Sequence, residues 1–158
     1  MMPSKGKAIH HRTEERFVNT AIKISLLASG LFLLAGMLLG VLKYRRIMTS
    51  PEHRAPVYID IAHRASFLYS FASLVIARLL EYSPFTVSTQ VWIAAIPIFY
   101  FAVTILEYTA LGLRDRTKNQ FSERNFITTW GMYMLIVGEI GGLSAIIWGF
   151  ISTQLIGS

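Results

Sequence analysis

Apolar residues fall into four stretches, each continuous over about 20 positions or more, separated by segments rich in charge, proline and amide side chains. Stretches of that length match the roughly 30 Å of hydrocarbon that a helix crosses at 1.5 Å per residue. The pattern predicts membrane spans at about 21–42, 60–80, 91–113 and 126–151, after a polar N-terminal tail over 1–20. A membrane β-barrel would instead alternate polar and apolar positions over strands of about 10 residues. The expected fold is therefore an all-α integral membrane protein, a four-transmembrane-helix bundle forming one domain over 1–158.

The breaks between stretches carry helix-ending residues. Pro51 and Pro56 interrupt the connection after the first span, and Pro84 lies in a short polar turn from Glu81 to Gln90. Pro97 falls inside the third span and is expected to kink it, which neighbouring helices tolerate. Gly36 with Gly40, and Gly138 with Gly142, form two GxxxG pairs, each a close-packing face for another helix. Tyr58, Tyr82 and Trp92 near span ends read as interfacial belt residues.

Composition sharpens the membrane reading. The chain is 53% hydrophobic and only 15% charged, against about 25% charged in a soluble domain. It has no cysteine, which excludes disulfides, thiolate zinc sites, iron–sulfur clusters and covalently attached haem. A metal held by histidine, or a non-covalent haem, stays open. The net charge of +6 comes from Lys and Arg beside apolar stretches, where membrane orientation rather than nucleic acid is the expected cause. No cleavable secretory signal is expected, because the first sixteen residues are polar.

The basic residues also predict an orientation. Lys5, Lys7, Arg12 and Arg16 lie on the side of the N-terminus. Lys43, Arg45, Arg46 and Arg54 lie on the other side, with Arg114, Arg116, Lys118 and Arg124. The positive-inside rule puts the richer loops, 43–59 and 114–125, in the cytoplasm. The expected location is a multi-pass protein of a bacterial inner membrane.

Ionisable groups inside spans are costly unless paired or facing a cavity, so His63, Glu107 and Glu139 are functional candidates. Tyr100, Thr104 and Glu107 fall near one face of the third span, a polar stripe expected to face the bundle interior. Structural readings stand beside these: Glu107 can pair with Arg78 or Arg64, Glu139 can hydrogen-bond at a subunit interface, and Arg64 can snorkel. His10, His11 and His53 lie in polar segments and are expected to be exposed. His63 is the one histidine in a span. Imidazole is a good iron ligand, and one histidine can hold haem iron on one face and leave the other open.

The run Ala62-His63, with Tyr69 six residues on, Tyr108 late in the third span and the Asn119-Gln120-Phe121 stretch before the fourth, resembles the styrene oxide isomerases. These are small four-helix membrane proteins that bind haem b. The related hydroxylaminobenzene mutases share the short layout and an Ala-His at the start of the second span. The separation of His63 from Tyr108 fits that family's axial histidine and distal tyrosine without a gap. The resemblance covers about residues 20–153. It implies haem b held by His63, with Arg64 reaching a propionate, and ferric iron acting as a Lewis acid that rearranges an epoxide to an aldehyde or ketone. Tyr108, with Tyr69 or Tyr100, would place a small apolar substrate. The family's active unit is a homotrimer in the lipid bilayer. Two positions depart from its pattern: Tyr69 stands where the isomerases carry asparagine, and Tyr100 where they carry aspartate.

Two other classes stay in view. One is a haem-binding electron-transfer or sensor subunit, with Tyr108 as a second axial ligand. The other is a membrane subunit or small transporter in which Glu107 and Glu139 relay protons or pair with arginines.

Overall fold

The computed structural model describes residues 19–115 and 130–157. Four helices account for nearly all of them: α1 (Thr20–Thr49), α2 (Val57–Leu80), α3 (Val87–Arg114) and α4 (Met132–Ile151), the last running into a π-helical turn at Ser152–Ile156. No strand occurs among the described residues. The expected polar tail, the Asn119-Gln120-Phe121 stretch and the start of the fourth span lie outside them.

Local chemistry sets the helix ends. Asn19 caps α1 by accepting from the Ile22 N–H at 3.1 Å, supplying an acceptor for one of the orphan amides of the first turn. The helix then runs seven residues beyond the expected span, because nothing in Lys43–Thr49 breaks it before Pro51. Pro56 stands at the N-cap of α2, where a missing N–H costs nothing. Thr86 caps α3 by accepting from Thr89 N–H, so α3 starts at Val87 and the turn before it is shorter than the sequence suggested. Asp115 closes α3 in the left-handed region at φ 45°.

Side-chain ties fix the topology at one end of the bundle. Asn19 Nδ2 donates to Gln90 Oε1 at 2.6 Å, and Gln90 Nε2 donates to Phe85 O at 2.8 Å. Thr153 Oγ1 donates to Tyr82 O at 2.7 Å. The start of α1, the turn between α2 and α3, and the end of α4 thus share one end, as an up-and-down bundle requires. At the opposite end Lys43 pairs with Asp60 at 2.6 Å, and Gly112 of α3 lies against Ile59 of α2.

α1 packs on α2 and α3, and α4 packs on α3 and more lightly on α2. Among the described residues α1 and α4 do not meet. The core between them is built from Ala28, Phe32, Ala62, Ile76, Ala94, Phe101 and Ile105. Leu27, Leu38, Leu68, Phe71, Leu106 and Val137 point outward and are exposed, the inverse of a soluble surface and the expected dress of a bundle in lipid. α1, α3 and α4 are each long and apolar enough to cross a membrane. α2 is the polar exception. Its charges sit near its two ends, at Asp60, Arg64 and Arg78, while Ala65–Ala77 carries none; one face of that middle is buried, and Leu68 and Phe71 on the other face outward. This is a membrane protein with an all-α, four-helix bundle fold.

Both glycine pairs are used inside the chain. A Cβ on Gly36 would meet the Phe67 ring at 3.1 Å, and one on Gly40 would meet His63 Cε1 at 2.9 Å. The first pair therefore receives two rings, one turn apart, from α2. The second pair receives α3: Gly138 lies against the Tyr100 ring, and Gly142 sits 2.9 Å from both Ile93 O and Pro97 Cδ by the same measure. Ile93 O is the carbonyl that Pro97 cannot bond, since proline has no N–H. α3 continues as helix through Pro97, and Gly142 leaves room for the bulky ring and the freed carbonyl.

Candidate functional site

His63 is placed by the α1 seam. Its Nδ1 lies 2.8 Å from Gly36 O. A carbonyl can only accept, so Nδ1 carries the proton and donates. In the neutral ring this leaves the Nε2 lone pair free, and Nε2 has no hydrogen-bond partner among the described residues. Phe67 holds the ring from its edge, with centroids 5.0 Å apart. A backbone carbonyl on the far nitrogen is the arrangement that metal-ligating histidines use to fix tautomer and ring orientation.

The other candidates lie on different seams. Tyr108 stacks on Tyr58 with centroids 5.9 Å apart, between α3 and α2. Tyr58 is buried, so it belongs to the core and not to an interfacial belt. Trp92 is exposed, as a belt residue should be. Tyr69 stacks on Phe101 at 4.3 Å with planes 9° apart, and both Tyr69 and Tyr108 pack against the buried core. Tyr100 lies further out, against Phe99 and under Gly138. It lines an apolar groove of about 990 Å³ between α3 and α4, with Trp92, Trp130 and Tyr133.

One chain therefore puts Tyr69 and Tyr108 on the seam of α2 with α3, and His63 on the seam of α2 with α1. His63 and Tyr108 are level, each one turn from the contact of Ile59 with Gly112. They face different neighbours, because His63 points to α1 while Tyr58 and Tyr69 occupy the α3 side of the same helix.

The charged residues form pairs the sequence did not single out. Asp60 bridges Lys43 and Arg64, at 2.6 and 2.9 Å, and the second of these is an i,i+4 pair whose spacing was there to be seen. Arg64 is exposed at the same end of the bundle as His63 and one residue along. Arg78 pairs with Glu81 and lies over the Tyr82 ring. Arg64 and Arg78 are engaged by Asp60 and Glu81, and the expected pairing of either with Glu107 does not form among the described residues. His53 is exposed, as expected.

Glu139 is half-buried, and its Oε1 is sealed from solvent with no hydrogen-bond partner among the described residues. Ser73 Oγ is in the same condition. Among the described residues no group of three or more His, Asp or Glu side chains could hold a bare metal ion. A metal carried by its own macrocycle needs only one protein ligand, and His63 is suited to that.

These features define a class: a small polytopic membrane protein with a preset imidazole on one seam and stacked tyrosines on another. No known protein family, curated protein or solved structure matches the chain.

Proposed function

We propose that this protein is a haem-b-dependent membrane isomerase, placed in a bacterial inner membrane, in which His63 would hold the haem iron. The observation that carries this reading is the Nδ1–H bond to Gly36 O, which fixes the tautomer and leaves Nε2 as a ligand atom. The donor set fits haem: one imidazole, no thiolate, and apolar helix surface for a porphyrin face. The chemistry that such a group would supply there is that of a Lewis acid toward a substrate oxygen, without net electron transfer.

The chain's own groups do the rest. Asp60 holds Arg64 at the bundle end, where its exposed guanidinium can meet a propionate as a charge-assisted pair. Tyr69 and Tyr108 offer hydroxyl groups to an epoxide oxygen, in apolar surroundings that keep water from the rearranging carbon. His63 and these tyrosines face different seams of one chain, so a neighbouring copy completes the site. A homotrimer is the assembly that the family resemblance suggests. The two GxxxG pairs are filled within the chain, so copies would meet through exposed apolar faces such as that of α4.

The test is spectroscopic and then chemical. Detergent-purified protein should show a Soret band that His63→Ala weakens or abolishes. The ferric protein should convert an aryl epoxide to an aldehyde or ketone without reductant or nicotinamide. A haem content unchanged in folded His63→Ala removes His63 from the site. Full haem occupancy with no turnover of epoxide or aryl hydroxylamine leaves an electron-transfer or sensor role instead.

A further inference from the structure

A second site stands apart from His63, in a cleft of about 400 Å³ between α2, α3 and α4. Its walls are Phe71, Ala72 and Val75 of α2, Phe101 of α3, and Ile140 and Leu143 of α4. One polar side chain joins them, that of Glu139. The volume lies within the range of small-molecule pockets, as does the pattern of apolar walls with a single placed polar group. Phe71 and Ile140, both strongly exposed, stand at its mouth, so it opens on the lipid-facing surface. A molecule already dissolved in the bilayer can enter without crossing water.

The carboxyl is what gives the cleft a preference. Glu139 Oε1 is sealed and unpartnered, and a sealed polar atom without a hydrogen bond costs on the order of 1–3 kcal/mol. Its surroundings carry no Lys or Arg that pairs with it: Lys43, Arg64 and Arg78 are bonded to Asp60 and Glu81 near the bundle ends. Two aromatic rings, Phe71 and Phe101, line the cleft with it. Carboxyl oxygen and ring face together suit a cation with an apolar body. A hydrocarbon chain would fill the volume but leave the carboxyl group without a donor, and an anion would be repelled.

We propose that this cleft binds a protonated lipophilic amine, its ammonium N–H donating to Glu139 and its apolar body lying between Phe71, Ala72, Phe101 and Leu143. The site uses none of His63, Arg64 or the α1 seam, so it stands whether or not haem binds.

The experiment uses the full chain in detergent and two probes of matched shape, N,N-dimethylbenzylamine and isobutylbenzene, with binding read by equilibrium dialysis. The amine should bind about tenfold or more tightly than its hydrocarbon isostere, as expected for a charge-assisted bond out of water. Glu139→Gln should erase that preference. Ala72→Leu keeps the carboxyl but fills the cleft and should weaken both probes; it decides the matter if the Glu139 variant does not fold. Equal binding of amine and isostere to the wild type means an apolar crevice for lipid chains and overturns the proposal. So does amine binding that neither substitution changes.

Discussion

His63 and Glu139 show two ways a helix bundle handles an ionisable side chain in lipid. His63 is bonded at one nitrogen to a main-chain carbonyl that Gly36 leaves uncovered, so one ring nitrogen is spent on structure and the other is kept for a ligand. Glu139 has one oxygen with no such partner. At this scale the tyrosines give the sharpest functional test. Tyr108→Phe keeps the ring that stacks on Tyr58 and removes only the hydroxyl. If that hydroxyl meets a reacting oxygen, turnover should fall by about 10–1,000-fold, the range for one donor of an oxyanion-type site. Haem content, read from the Soret band, should be unchanged. Tyr69→Phe should behave alike, since Tyr69 shares that seam. Tyr100 belongs to the outer groove, and Tyr100→Phe should leave turnover nearly intact unless a neighbouring copy is seated there.

Between helices, the seams are made where glycine meets a bulky partner. The four contacted glycines of the two GxxxG pairs, together with Gly112, differ sharply from Gly30 and Gly141, where a Cβ would touch nothing within 4 Å. This contrast sets an internally controlled experiment. At Gly112 an added Cβ would sit 2.6 Å from Ile59 N, and at Gly142 it would sit 2.9 Å from Ile93 O. Both are backbone atoms that cannot swing aside. Gly112→Ala and Gly142→Ala should each cost about 1–3 kcal/mol, the usual penalty of overpacking, and lower the thermal midpoint in detergent. Gly30→Ala and Gly141→Ala should be neutral or stabilising, because alanine is the better helix former by roughly 0.5–1 kcal/mol. Gly40→Ala is the variant that joins stability to function: its Cβ presses on His63, so it should disturb haem content more than its cost in stability explains.

How much of this was readable beforehand follows from the same seams. Run length and period revealed four helices, and the two GxxxG pairs announced themselves as close-packing faces. Their partners did not, because which ring enters a glycine groove depends on the rotation of the facing helix, a tertiary quantity absent from any one segment. The pairing imagined for Glu107 failed for that reason, and Tyr58 was misread as an interfacial residue because nearness to a span end does not say which way a ring points. His63 could be singled out as the lone histidine in a span; the carbonyl that orients it could not.

For the whole molecule, membrane placement and orientation are the properties to check. Leu33, Phe71 and Ile136 are exposed in the bundle yet should be shielded by lipid, so cysteines at these positions should resist aqueous maleimide while one at Glu52, in the connection after α1, should react. Free labelling at the first three would refute the membrane assignment. The connection between α1 and α2 gathers Arg46 and Arg54 around a polar depression with Glu52 and Asp115. With the basic excess on that side it should lie in the cytoplasm, so alkaline phosphatase fused after Ser50 should be inactive.

The lack of contact between α1 and α4 among the described residues has a consequence in time. During synthesis the first three helices can satisfy one another before the fourth leaves the ribosome: His63 and Phe67 fill the α1 seam, and Gly112 closes on Ile59. What they leave open is the flank of α3 with Pro97, Tyr100 and the unbonded carbonyl of Ile93. α4 arrives last and covers it with Gly138 and Gly142, completing the Glu139 cleft as it does so. A chain stopped after Asp115 should therefore insert and keep its α1–α2–α3 contacts, and a separately expressed α4 should be able to join it, restoring amine binding that the truncated chain lacks.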